Sequence, residues 1–189
     1  MSSELIYDAV VVGGGPAGAT AAHTLALKGM KILLLDKRGR IKPCGGAIPP
    51  RLIKDFQIPD ELLVARAKSA RMVSPSGKAV DIPIENGFVG MVDRAQFDEW
   101  LRERAVTAGA EREDGLFESL TRENSNVRIH YRARGARDSD HGSLKSVLAK
   151  SVIGADGAKS QVGRSAGVKG CAEANYVFAY HEIIKTPQD

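Results

Sequence analysis

Residues 8–36 read DAVVVGGGPAGATAAHTLALKGMKILLLD, and this stretch decides the fold. Residues 9–12 are a short apolar run, the pattern of a parallel strand buried on both faces. Gly13, Gly15 and Gly18 then fill the three positions of a Gly-x-Gly-x-x-Gly turn. The first glycine permits a tight turn, the second lets backbone approach a phosphate, and the third lets the helix close on the strand. Pro16 and Ala17 open that helix, where a missing proline N–H costs nothing. The free N–H groups and positive dipole end at this point favour a pyrophosphate. The helix is predicted to run to about Lys28, with Ala17, Ala21, Ala22 and Leu25 facing the sheet and Gly29 as its stop. Residues 32–35 form a second strand that ends on Asp36. Asp36 follows Gly18 by 18 positions, near the spacing of a carboxylate that accepts bonds from ribose hydroxyls. Strand, glycine turn, helix, strand and acid in this order point to a dinucleotide-binding unit.

Composition excludes several classes. The chain has 189 residues, 43% of them apolar and 26% charged, as in ordinary globular domains. A net charge of +4 favours anionic partners mildly and is too small to argue for nucleic acid. No apolar run approaches the roughly 18 residues of a membrane span. Glu4 and Asp8 precede the first apolar run, unlike the positive start of a signal peptide. Cys44 and Cys171 suggest neither a disulfide framework nor zinc. His23, His130, His141 and His181 lack metal-like spacing, so no metal is expected. A cytoplasmic protein with reduced thiols is the simplest reading.

Further along, GRIKPCGGAIPP at 39–50 reads as a loop held close to something. Residues 52–67 read as partly helical, interrupted at Pro59. Residues 70–92 carry two extended segments around the turn signal Ser74-Pro75-Ser76-Gly77. Asp93 and Gln96 form a capping-box pattern before a helix over 94–108, with Phe97, Leu101 and Ala105 on one face and Gly109 as its stop. Residues 116–153 alternate as antiparallel strands, broken by a polar stretch at 135–142. A short strand over 152–157 ends in a sharp turn, and 176–184 is another expected strand. A βαβ start followed by meandering strands predicts an α/β, Rossmann-like nucleotide domain in three layers with a mostly antiparallel β part inserted. The expected division is 1–68 with 93–168 for the nucleotide domain, and 69–92 with 169–189 for the inserted part.

Three segments share one pattern: GGGPAG at 13–18, DRAQFDEWL at 93–101 and GADGAKSQVGR at 154–164. Together they resemble the flavoproteins built like aromatic hydroxylases. That resemblance implies FAD, with the Asp156-Gly157 turn bordering its pyrophosphate and Arg94 reaching the cofactor. KPCGGAIPPRLI at 42–53, with ARMVSPSGKAVDIP at 70–83 and GFVGMVDR at 87–94, is similar to geranylgeranyl reductases of the chlorophyll and bacteriochlorophyll pathways. The resemblance spans residues 6–187. It implies FAD reduced by NADPH and hydride delivery to isolated double bonds of a geranylgeranyl chain, giving a phytyl chain. An isoprenoid partner, as free diphosphate or esterified to pigment, goes with it, as does peripheral contact with a membrane. Members of that family continue into a second FAD motif of the Gly-Asp-Ala type, so the chain reads as an N-terminal portion.

Within this frame Cys44 is the candidate catalytic residue, as proton donor or as a shaper of the flavin face; the alternative is a small loop filler. Gly45 and Gly46 would let their loop pass close to cofactor or substrate. Lys37, with Arg38, is a candidate for the adenosine side, and a solvated loop is the equal alternative. Two rival functions remain: a flavin monooxygenase of the same superfamily, which PCGGAIP argues against, and a non-catalytic nucleotide-binding fragment.

Overall fold

The computed structural model describes residues 4–37, 44, 46–85, 87–133 and 142–170. The two apolar runs of the opening unit become strands β1 (Ile6–Val12) and β2 (Ile32–Asp36), joined by helix α1 (Pro16–Ala26). There follow β3 (Ala47–Ile48), α2 (Pro50–Asp55), a 3-10 turn at Asp60–Leu62, β4 (Leu63–Ala67), β5 (Ser69–Val73), β6 (Ala79–Pro83) and β7 (Val89–Val92). Helix α3 (Arg94–Thr107) leads to β8 (Glu111–Glu123), β9 (Asn126–Ala133), β10 (Leu144–Gly154) and α4 (Gln161–Ser165). The chain divides into two compact units, one of Met1–Arg40 and Asp98–Tyr176, the other of Ile41–Phe97 and Val177–Asp189.

In the first unit β1 pairs in parallel with β2 and β10, and β2 pairs in parallel with β8. The order β8-β2-β1-β10 is that of a nucleotide-binding half-sheet, with the strand after the crossover at one edge and the fourth beside the first. β9 runs antiparallel to both β8 and β10 and closes the five strands into a circuit. Two long strands make this possible. β8 follows β2 through Asp114 and follows β9 from Gly115 onward. Gly115 marks that change of partner: a Cβ there would come within 2.6 Å of the Tyr131 ring and 2.9 Å of Leu35.

Both faces of β1 and β2 are buried, which explains their unbroken apolar runs. Val10, Val12, Leu33 and Leu35 face the enclosed core with Phe117, Ile129, Tyr131 and Ala149. Residues in the alternate register, Ala9, Val11, Ile32 and Leu34, are buried too, and α1 packs against both strands. The buried side of α1 is Gly18, Ala19, Ala22 and Ala26; of the expected Ala17, Ala21, Ala22 and Leu25, Ala22 is buried and the others are not. Small residues let the helix lie close, and that requirement rotates it to bring Gly18 against the strand turn. The helix ends at Ala26, short of the expected Lys28, and Gly29 turns the chain away with φ of +76°; its N–H bonds the Ala26 carbonyl and that of Met30 the Leu25 carbonyl.

In the second unit β7 lies between β3 and β4, all antiparallel. The expected helical character of 52–67 fails at its end: only 50–55 is α-helix, and Leu63–Ala67 is strand β4. Its backbone pairs with β7, a distant ladder that outweighs weak local helix propensity. β5 and β6 form the expected hairpin, with Gly77 at φ of +80° and Arg71 gripping Asp81 across it at 2.7 and 2.8 Å. The parallel first part of β8 was not among the sequence expectations, which began an antiparallel run at 116. The expected strand over 176–184 and the polar loop between β9 and β10 lie largely outside the described residues.

Gly115→Val should cost about 1–3 kcal/mol in urea unfolding, because the Tyr131 ring has to leave its place in the core. Unchanged stability would show that β8 can change partner without a glycine.

Candidate functional site

The site is assembled where parallel strands end together. In register, Val12 lies beside Leu35 on one side and Gly154 on the other, so the loops after β1, β2 and β10 leave the sheet side by side. Backbone bonds lock them: Gly13 N–H to Leu35 O, and Ala155 N–H to Val12 O, each 2.8 Å. Gly13 has φ of +106°, and a Cβ there would strike the Ala155 carbonyl. A Cβ on Gly18 would run into the Gly13 carbonyl. Both glycines are therefore required by packing.

Gly15 differs, since a Cβ on it would meet nothing within 4 Å. It is the N-cap of α1, no side chain caps that helix, and its first turn holds no acid. The positive end of an 11-residue helix is thus left for an outside anion, with Pro16 and Ala17 exposed at its start. Gly14 was not singled out by the sequence, yet it is buried, and a Cβ there would sit 2.6 Å from the Asp36 carboxylate. The structure thus brings Asp36 directly against the glycine turn. Lys37 follows it and is exposed.

A chain of charges reaches Asp36 from α3. Arg112 of β8 holds Glu99 with both nitrogens, at 2.5 and 3.1 Å. Arg102 donates from Nε to the same Glu99 at 2.9 Å. Its Nη1 donates to the Gly14 carbonyl at 3.0 Å and lies 3.4 Å from Asp36 Oδ2. The hydrogen bonds from Arg112 first, and from Arg102, outweigh burial and hold the Glu99 carboxyl at about 2. The sequence offered one local sign, the Glu99–Arg102 pair three apart on a helix. The 66-residue reach to Asp36 has no local signature.

At the end of β10, Gly157 turns the chain with φ of +87°. The Asp156 carboxylate accepts from Ser160 Oγ at 2.5 Å, Gln161 N at 2.6 Å and Val162 N at 3.1 Å. Burial raises its pKa, but these bonds more than offset that and leave it lowered. Its side chain is thus engaged in starting α4, and the turn presents backbone. Arg94 is half-buried at the start of α3, which Asp93 caps by accepting the Ala95 N–H at 2.8 Å. In the second unit Cys44 is exposed, and its Sγ accepts the Gly46 N–H at 3.5 Å. Gly46 has φ of +72° and lies so close to the Val92 carbonyl that no Cβ fits. Gly45 lies outside the described residues. No group of metal-ligating side chains occurs among the described residues.

A parallel half-sheet with a glycine turn, an uncapped helix and an acid at the next strand end defines a dinucleotide-binding α/β protein. The chain belongs to the pyridine nucleotide-disulphide oxidoreductase family, whose model matches residues 7–186. It is 58% identical over 181 residues to geranylgeranyl diphosphate reductase of Rhodobacter capsulatus, covering 96% of this chain and 44% of that one. Against the chloroplastic geranylgeranyl diphosphate reductase of Arabidopsis thaliana it is 38% identical over 186 residues, covering 95% and 39%. A solved structure of a geranylgeranyl bacteriochlorophyll reductase-like protein from Thermoplasma acidophilum superposes with a TM-score of 0.78 at 31% identity, over 89% of this chain and 44% of that one. The chain thus spans less than half the length of these relatives.

Glu99→Gln should lower stability by about 1 kcal/mol at neutral pH, a value discounted for a side chain 41% exposed. The depressed carboxyl contributes fully above its ordinary value of 4.5 and loses that contribution as pH falls toward 2. In urea melts the gap between variant and wild type should therefore narrow progressively as pH falls from 4.5 toward about 2. A pH-independent gap would contradict the ion-pair account.

Proposed function

We propose that this chain carries the ADP-binding part of an FAD-dependent geranylgeranyl reductase, which takes electrons from NADPH and saturates double bonds of a polyprenyl chain. The observation that carries this reading is the 58% identity to a geranylgeranyl diphosphate reductase along 96% of the chain. The cradle fits the cofactor: the space beside Gly15 is open where backbone must approach a pyrophosphate, while Gly13 and Gly18 are closed by packing.

In this reading the N–H groups of Gly15, Ala17 and Gly18 at the start of α1 bind the pyrophosphate, Pro16 sets the first turn without donating, and Asp36 accepts from the adenosine ribose. Lys37 stands at the adenosine side. The backbone at Asp156-Gly157 borders the pyrophosphate, and Arg94 adds a cation to the cofactor. When bound and reduced by NADPH, the flavin would supply the hydride that an isolated alkene requires. Cys44 Sγ holds a proton that can pass to the alkene, and Gly45 and Gly46 let its loop run close to cofactor or substrate. Residues 1–68 and 93–168 then serve FAD, and 69–92 with 169–189 begin the substrate part.

The substrate class is a geranylgeranyl chain on a diphosphate or a pigment. Such a chain partitions into lipid, so peripheral contact with a membrane surface belongs to the proposal. No described helix is long and apolar enough to cross a membrane.

Gly15→Val tests the cradle, because a Cβ at Gly15 meets no protein atom within 4 Å in the fold. The full-length apo variant should match the apo wild type in circular dichroism and melting temperature, while its Kd for FAD rises at least about a hundredfold. Normal flavin content in the folded variant would remove the premise. NADPH-driven saturation of geranylgeranyl diphosphate by the wild type, without O₂, is the matching activity test.

A further inference from the structure

Arg102 presents its guanidinium in an arrangement that helix packing does not require. Leu101 and Ala105, buried at 5% and 0%, already seat this part of α3. Arg102 is fixed by Glu99, which Arg112 holds in turn, and its Nη1 is shared between the Gly14 carbonyl and Asp36. A guanidinium that served only to pair with Asp36 would take both carboxylate oxygens in parallel. Here one nitrogen serves two groups from different strand ends, and its side chain is only 17% exposed. Asp114 stands beside Asp36 in register on β8, and the Arg112 guanidinium interacts with both acids.

We propose that Arg102 is a positioning residue for nucleotide recognition, tying the Asp36 carboxylate to the Gly14 peptide so that ribose acid and phosphate turn keep one spacing. This rests on reading the turn as the cradle for the ADP part of FAD. Ribose and pyrophosphate are joined covalently, so the groups that read them must be held at a matching separation. Gly14 completes the device, since any side chain there would displace the acid.

The test uses the full-length protein and two ligands: FAD, and an FAD analogue whose adenosine ribose lacks the 2′- and 3′-hydroxyls. Affinities are read by flavin fluorescence quenching. Wild type should prefer FAD by about tenfold or more. Arg102→Met should lose most of that preference, weakening FAD while leaving the analogue nearly unchanged. Arg102→Lys, which keeps the charge with less disturbance to the fold, should show an intermediate preference. Asp36→Asn should lose it as well, and the double variant should bind FAD no worse than Asp36→Asn alone. Equal weakening of both ligands in the Met and Lys variants would mean that Arg102 only supports the fold, and would overturn the proposal. Wild-type preference retained in both variants would overturn it too. Failure of the wild type to bind either ligand would instead sink the FAD reading on which it rests.

Discussion

The hydrogen bonds that tie the turn after β1 to the neighbouring strand ends are the constraint on which the site depends. Gly13 hangs from the Leu35 carbonyl and Ala155 from that of Val12. These two contacts fix three loops at the carboxyl edge of a parallel sheet, where open α/β folds bind ligands. They also explain why Gly13, Gly14 and Gly18 admit no side chain, each for a different neighbour: the Ala155 backbone, the Asp36 carboxylate and the Gly13 carbonyl. Gly15 alone in this turn has room, and it faces the uncapped helix end. Packing therefore accounts for Gly13, Gly14 and Gly18 and leaves open space at Gly15.

Electrostatics completes what packing begins. A helix N-terminus attracts an anion, while the Asp36 carboxylate against the glycine turn carries a negative charge of its own. Two arginines and one glutamate from α3 and β8 form a charged ladder that reaches this acid. The ladder passes inward from Arg112, through Glu99 and Arg102, to the Gly14 peptide. Crossover helix and cradle are thus coupled, and residues remote in sequence bear on the nucleotide site. Asp156 plays a parallel part at the other strand end, where its carboxylate gathers Ser160, Gln161 and Val162 and sets the Gly157 turn.

The opening unit was legible because its signals are local: apolar strands, glycines at fixed offsets and an acid at a strand end. The α3 face of Phe97, Leu101 and Ala105 was legible for the same reason, since helical periodicity survives in any context. Strand β4 was not, because Leu63–Ala67 takes its structure from β7, beyond an intervening hairpin. The double allegiance of β8 was also hidden. A strand that pairs with β2 at Asp114 and with β9 at Gly115 shows only a glycine in its sequence. At the site, Gly13, Gly15, Gly18 and Asp36 could be named from spacing. Gly14 and Arg102 could not, since their roles arise from side chains that meet only after folding.

The most direct measurement is a crystal structure of the full-length protein with FAD. The account predicts the pyrophosphate against the N–H groups at the start of α1 beside Gly15, and the adenosine ribose within hydrogen-bonding distance of Asp36. FAD bound with its pyrophosphate away from Gly15, or its ribose out of reach of Asp36, would contradict it.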